Sequence, residues 1–224
     1  PGGMTHQSIE DISVMRSIPN MTILETGDAT EVDSICEAAD SIDGPVWCRV
    51  LRGSVPRLFD TPIKVGEMRV LSEGTDILVV SSGISTEEAM RARSALAKAG
   101  LSIRHIHLHT IKPFDHKQLL DHIGSVKHGV VTLENHVTEG GVGSLVAETM
   151  ADAGIGKRLV RLGLKDTYAH GGSRAYLMRY YGLDALALVG GIEDLMGARF
   201  GITEDDLATA RVDDVHSLVK AEAL

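Results

Sequence analysis

Residues 75–110 read TDILVVSSGISTEEAMRARSALAKAGLSIRHIHLHT, and their pattern decides the fold. "TDILVVSSG" has the length and apolar content of a buried strand. "STEE" (85–88) is an N-terminal capping pattern for a helix, and Gly100 supplies its stop. "LSIRHIHLHT" (101–110) is a second strand. Apolar strands on either side of a helix belong to a parallel sheet covered on both faces.

The same grammar continues downstream. A helix is expected near "FDHKQLLDHIG" (114–124) and a strand at "HGVVTLE" (128–134). A glycine-opened helix follows at "GGVGSLVAETMADAG" (140–154), then a strand at "KRLVRLGL" (157–164). Two more helices fit around "SRAYLMRYYG" (173–182) and "DALALVGGIEDLMGARFG" (184–201). This is an open α/β sheet of about four strands, with room for one more. Upstream, Thr5 can cap a helix in which Ile9, Ile12, Met15 and Ile18 recur, ended by Pro19-Asn20. "MTILET" (21–26) is a strand, and Asp28 stands three residues before Glu31 as in a capping box. Val32, Ile35, Cys36, Ala39 and Ile42 line one helix face. "DGP" (43–45) then turns the chain into the strand "VWCRVL" (46–51). Residues from Arg52 to Gly74 lack periodicity. The expected organisation is therefore two open parallel-sheet units, residues 1–56 and 74–202, joined by a linker at 57–73 and followed by a polar tail at 203–224.

The chain has 224 residues, 43% of them hydrophobic, enough for one large core or two modest ones. Its net charge of −9 and the lack of a Lys/Arg run argue against nucleic acid and anionic membrane as partners. No apolar run has the length of a membrane span, and no secretory region opens the chain. Cys36 and Cys48 read as buried small hydrophobes, not a disulfide framework, which makes a cytoplasmic protein the default. The start at Pro1 suggests a piece whose upstream residues lie elsewhere.

Four stretches invite chemistry. "HIHLH" places His105, His107 and His109 on one side of a strand, where three imidazoles can bind zinc. No cysteine or carboxylate pattern accompanies them, so ordinary strand histidines are the preferred reading. "EGGVGS" (139–144) lacks the Lys-Ser/Thr of a nucleotide loop and reads as a tight turn. "YAHGGSR" (168–174) offers His170, Ser173 and Arg174 for an anion, but a helix cap is the simpler reading. "GGMTHQSIED" (2–11) puts His6 and Gln7 at a helix start, where an anion or electron-rich ligand is favoured.

That last stretch carries a resemblance. "THQSIEDISVMRSIPNMTIL" (5–24) is similar to the Thr-His-Gln…Pro-Asn stretch of transketolases. "DATEV" (28–32) resembles the family's Ala-Asp-x-x-Glu helix start, and "GPVWCRVLRGSVPRLF" (44–59) resembles its strand ending in Arg-x-x-x-Pro. "HTIKPFDHKQL" (109–119) and "LENHVTEGGVGSLVAE" (133–148) match two further family motifs in order. The resemblance reaches to about Gly197. It implies that residues 1–56 form the second half of a pyrimidine-binding domain, truncated, and that residues 74–202 form a transketolase C-terminal-type domain. It implies thiamine diphosphate and magnesium as cofactors, both bound mainly by parts outside this chain. It further implies a homodimer, an upstream or separate diphosphate-binding subunit, and inactivity without those parts. By the same resemblance, His6 lines the substrate channel as a catalytic and substrate-binding residue, and Arg52 binds the terminal phosphate of a sugar phosphate. Arg49, three residues earlier, is the alternative phosphate ligand. Gly2-Gly3-Met4 stands where the family has Asp-Gly-Pro, which puts the usual sugar-phosphate pair in question. The implied reaction is transfer of a two-carbon ketol unit from a ketose phosphate to an aldose. A 1-deoxyxylulose-5-phosphate synthase and a non-catalytic oligomerisation module of the same fold are the alternatives. "THQSIED" argues against the beta subunit of a 2-oxo-acid dehydrogenase.

Overall fold

Two sheets emerge from this chain, in a computed structural model that describes residues 3–210 and residue 212. The first unit holds a 3-10 turn at Met4–His6, then α1 (Asp11–Arg16), β1 (Thr22–Glu25), α2 (Ala29–Asp40) and β2 (Val46–Arg49). The second begins with β3 (Arg69–Ser72), β4 (Ile77–Ser82), α3 (Ser85–Lys98), β5 (Ile103–Leu108) and β6 (Thr110–Lys112). It continues with α4 (His116–Gly124), β7 (Gly129–Val137), α5 (Val142–Asp152) and β8 (Arg158–Leu164). It ends with α6 (Arg174–Tyr180), α7 (Ala185–Met196) and α8 (Glu204–Thr209).

The larger sheet has the order β3-β5-β4-β7-β8 and the smaller one β2-β1-β6. Neighbours run parallel except at one edge of each sheet: β3 is antiparallel to β5, and β6 is antiparallel to β1. Side-chain alternation along β4 builds a core on each face of the large sheet. Leu78 and Val80 enter a cluster with Ile106, Leu119 and Val146, while Ile77 and Val79 pack with Ala92, Leu96, Leu188 and Ile192. This explains the unbroken apolar runs read from the sequence. It also shows where the fifth strand comes from. β3 lies inside the expected linker, and four residues on an edge are too few to display a period.

The two units share a strand path. β5 belongs to the large sheet; after His109 the chain re-enters a strand, and β6 pairs with β1 of the small sheet, with Leu24 opposite Thr110.

Several local readings change. Thr5 does not cap a helix, because α1 begins only at Asp11. Gln7 is extended, and the Ile9 carbonyl accepts from Val137 N–H at 2.8 Å, which fixes that stretch against the end of β7. Ser85 and Thr86 lie inside α3, whose N-cap position is Ile84. Asp28 does cap α2, accepting from Glu31 N–H at 2.8 Å, but Glu31 accepts from Gly27 N–H, not from the cap residue's own N–H. The second Asp28 oxygen accepts from Leu58 and Phe59 N–H, each at 2.8 Å, so a loop without periodicity is pinned to a helix start. Both cysteines are exposed rather than buried. Ile35 of α2 packs over Leu24 of the central strand, whereas Cys48 sits on the outermost strand and Cys36 a residue further round the helix. Thr203 caps α8 through a reciprocal box with Asp206, so the expected tail starts as a helix. Pro1, Gly2, Arg211 and residues 213–224 lie outside the described residues.

Candidate functional site

The C-terminal ends of β1 and β2 carry opposite charges in register, Glu25 beside Arg49. Arg49 is nearly buried, and all three of its guanidinium nitrogens donate to neighbours. Nε donates to the two Asp11 oxygens, at 3.2 Å each, and Nη1 donates to Glu25. Nη2 donates to the carbonyls of Ser8 and Asn135, each at 2.7 Å. Burial works against the charge, but the carboxylates of Glu25 and Asp11 outweigh it and hold Arg49 protonated. Asp11 also accepts from Trp47 Nε1 at 2.9 Å. One cation thus ties together four segments: the stretch after His6, α1, β1 and β7.

Above this knot lies a cleft of about 630 Å³ between the two units. His6 and Arg52 both line it, together with Gln7, Glu25, Asn135 and Arg174. Its apolar wall comes from a small cluster that includes Ile9, Ile84, Leu164 and Met178. His6 is exposed, with Nδ1 3.0 Å from Thr5 Oγ1. Arg52 is exposed and has none of the hydrogen bonds or ion pairs that consume Arg49. Arg174 donates to the Ser54 carbonyl at 3.3 Å and faces Glu87. The two residues expected from sequence therefore share a cleft. Arg49 lines it as well, but each of its three nitrogens already donates to a neighbour. Gly2, where the departure from Asp-Gly-Pro begins, lies outside the described residues; Gly3 has open space around it.

The glycine turn is tight for a specific reason. Glu134 accepts from Val142 N–H at 2.6 Å and from Gly143 N–H at 2.8 Å at the start of α5. A Cβ on Gly141 would stand 2.1 Å from Glu134 Oε2. Burial pushes the Glu134 carboxyl up to about 7, against the pull of those two N–H groups. Ser173 caps α6 by accepting from Tyr176 N–H, as the simpler reading of that stretch had it.

His105 and His107 of β5 are buried, as is His109 just after it. His105 Nε2 is 2.8 Å from Ser81 Oγ, Ser81 Oγ is 2.9 Å from Thr86 Oγ1, and Thr86 Oγ1 is 2.7 Å from His107 Nδ1. His107 Nε2 lies 2.9 Å from Glu31, which also pairs with Arg69. This chain of polar groups links α2 of one unit to the large sheet of the other. Burial pushes the Glu31 carboxyl up, but His107 and the Gly27 N–H outweigh it and hold it at about 2. Among the described residues, no group of three or more His, Cys, Asp or Glu is placed to hold a metal ion. Glu25 is the one carboxylate among the described residues that line the cleft, and one of its oxygens receives Arg49, so the residues present do not form a seat for a magnesium diphosphate.

Sequence reasoning missed Glu25 and Asp11, and it read Arg174 as part of a helix cap rather than of a cleft. The available signal for the first was an acid and an arginine closing two successive apolar strands. Among the described residues, no helix is long and apolar enough to cross a membrane.

Two apolar-cored sheets with a polar cleft between them are the frame of a known family. The model of the transketolase C-terminal domain matches residues 66–188, and the chain belongs to that family. It is 35% identical over 190 residues to the 6-deoxy-6-sulfo-D-fructose transketolase subunit SqwH of Clostridium sp. (strain MSTE9), covering 84% of this chain and 58% of that protein. It is 32% identical over 205 residues to 1-deoxy-D-xylulose-5-phosphate synthase 1 of Geobacter sulfurreducens, covering 88% of this chain and 32% of the synthase. A solved structure titled "Split gene transketolase, inactive beta4 tetramer" superposes with a TM-score of 0.80 at 33% identity, over 88% of this chain and 65% of the other. The chain thus spans less than two thirds of each of these relatives.

Proposed function

We propose that this chain is the C-terminal part of a thiamine diphosphate-dependent transketolase, moving a two-carbon ketol unit from a ketose phosphate to an aldose acceptor. The observation that carries the reading is the meeting of His6 and Arg52 in one cleft, with Arg52 free of the ion pairs that occupy Arg49. Guanidinium presents a planar fork that suits phosphate oxygens. Arg52 takes the terminal phosphate of the sugar, and Arg49 keeps the cleft floor in place. The His6 imidazole donates to a hydroxyl or a phosphate oxygen along the sugar. Thiamine diphosphate and magnesium, held mainly by parts outside this chain, supply the carbanion-stabilising chemistry. Without those parts the chain is inactive. A homodimer that works with an upstream or separate diphosphate-binding subunit completes the reading, in keeping with a relative named as a subunit and a structural match titled as a tetramer. Gly2-Gly3 in place of Asp-Gly fits a variant sugar.

The test uses the complete assembly with thiamine diphosphate and magnesium. Arg52→Ala is expected to raise KM for phosphorylated donors by about 10-fold or more while leaving unphosphorylated donors nearly unchanged, in line with the loss of a charged hydrogen bond. Equal losses on both would make Arg52 structural. Consumption of pyruvate with glyceraldehyde phosphate, and of no ketose phosphate, would point to the synthase instead.

A further inference from the structure

Glu25 ends β1 at the floor of the cleft and is 2% exposed. One carboxylate oxygen receives Arg49; the other, Oε2, is buried and has no hydrogen-bond partner among the described residues. A buried carboxylate oxygen without a donor is costly. Service as a counter-ion of Arg49 uses Oε1 and leaves Oε2 without a donor. Asp11 and Glu25 together carry one negative charge more than the Arg49 they share.

The surroundings hold Glu25 there. Gly83, at φ +53° in the turn between β4 and α3, would place a Cβ 2.5 Å from Glu25 Oε1. The glycine is therefore what lets the carboxylate lie against that turn. Backbone pairing adds to this: Thr26 N–H donates to the Arg49 carbonyl at 3.1 Å. Three residues beyond Arg49, Arg52 stands at the same cleft with no ion pair among the described residues.

Resting on the reading above, we propose that Glu25 is a specificity-determining residue whose free oxygen accepts a hydrogen bond from a hydroxyl of the bound sugar phosphate. The cleft then has two poles. A cationic pole at Arg52 takes the phosphate, and an anionic pole at Glu25 takes hydroxyl donors and repels a carboxylate or a second phosphate. The ligand class is a polyhydroxylated monophosphate ester, bound in one direction. Uncharged chains without hydroxyls lose the second pole.

The experiment measures binding of three probes by calorimetry to the full-length chain in its native assembly: ribitol 5-phosphate, pentyl phosphate and inorganic phosphate. The wild type is expected to favour ribitol 5-phosphate over pentyl phosphate by about 10-fold or more, the effect of a hydrogen bond to a charged group. Glu25→Gln removes the charge, and Glu25→Asp withdraws it by one methylene while still balancing Arg49. Both are expected to reduce that preference to within about twofold and to leave inorganic phosphate unchanged, because only the hydroxyl contact is lost. A merely structural Glu25 would weaken all probes alike or none. If the preference survives in either folded variant, the assignment of Glu25 is overturned while the role of Arg52 stands. If the wild type binds neither organic phosphate, both the assignment and the reading beneath it fall.

Discussion

Arg49 and Arg52 stand three residues apart and have opposite duties. The first is a buried tie between four segments, the second an exposed charge at a cleft. Arg49→Ala would leave Asp11 and Glu25 buried without their cation, and the expected loss of stability is about 3–5 kcal/mol. Urea unfolding of the variant checks this, with Arg52→Ala as the contrast, whose midpoint should stay near wild type. Asp28→Ala removes three backbone contacts at once, to Glu31, Leu58 and Phe59, and should cost roughly 2–3 kcal/mol by the same measurement. That His6 and Arg52 stand at one cleft was legible because each sits in a short motif whose order along the chain can be matched. The duty of Arg49 was not, because Asp11, Glu25, Ser8 and Asn135 reach it from places that only the folded chain brings together. Periodicity reports burial along one element; it says nothing about a side chain that serves several.

At the scale of elements, the long buried strands were readable and so was the helix start at Asp28, but the short edge strands and the helix starts at Thr5 and Ser85 were not. A buried parallel strand declares itself by an unbroken apolar run, whereas "STEE" looks like a cap although its Ser85 and Thr86 are buried inside α3 and Thr86 bonds His107. The histidine between β5 and β6 gives this region a titration. Burial holds His109 down to about 4 from an ordinary 6.5. The unfolded chain takes up that proton below about pH 6.5 and the folded chain refuses it until about pH 4, so stability from this group is full above 6.5 and falls across that window. Glu134 acts in the other direction. Its folded value of about 7 lies above the ordinary 4.5, so its contribution is full below 4.5 and is lost as pH rises through 7. Denaturation midpoints taken from pH 4 to 8 should show His109→Asn flattening the acid limb and Glu134→Gln flattening the neutral one. Gly141→Ala belongs to the same element boundary. A methyl 2.1 Å from Glu134 Oε2 must push the carboxylate off the N–H groups of α5, and a drop in melting temperature of several degrees is expected.

For the whole molecule, composition and strand count pointed to two α/β units, and both sheets are there. What could not be read was how closely they are joined. Three residues of β6 are too short to signal a strand, and their partner β1 lies far upstream. The boundary drawn by the family model, beginning at residue 66, leaves β1 out. A fragment started there would present β6 with an unpaired edge and Ile111 without its cover. It is expected to melt at a lower temperature than the full chain and to self-associate, as seen by scanning calorimetry and by size-exclusion chromatography with light scattering.

The passage of one chain from β5 into β6 across the single residue His109 has a mechanical side. A linker can slacken; a strand that leaves one sheet and enters the next with one residue between them behaves as a stiff hinge pin. Glu25 and Arg52 both belong to the first unit, and Ile84 and Leu164 face them from the second; on the reading proposed above, the joint at His109 therefore bears on the width left beside a bound sugar phosphate, not on the distance between its two poles.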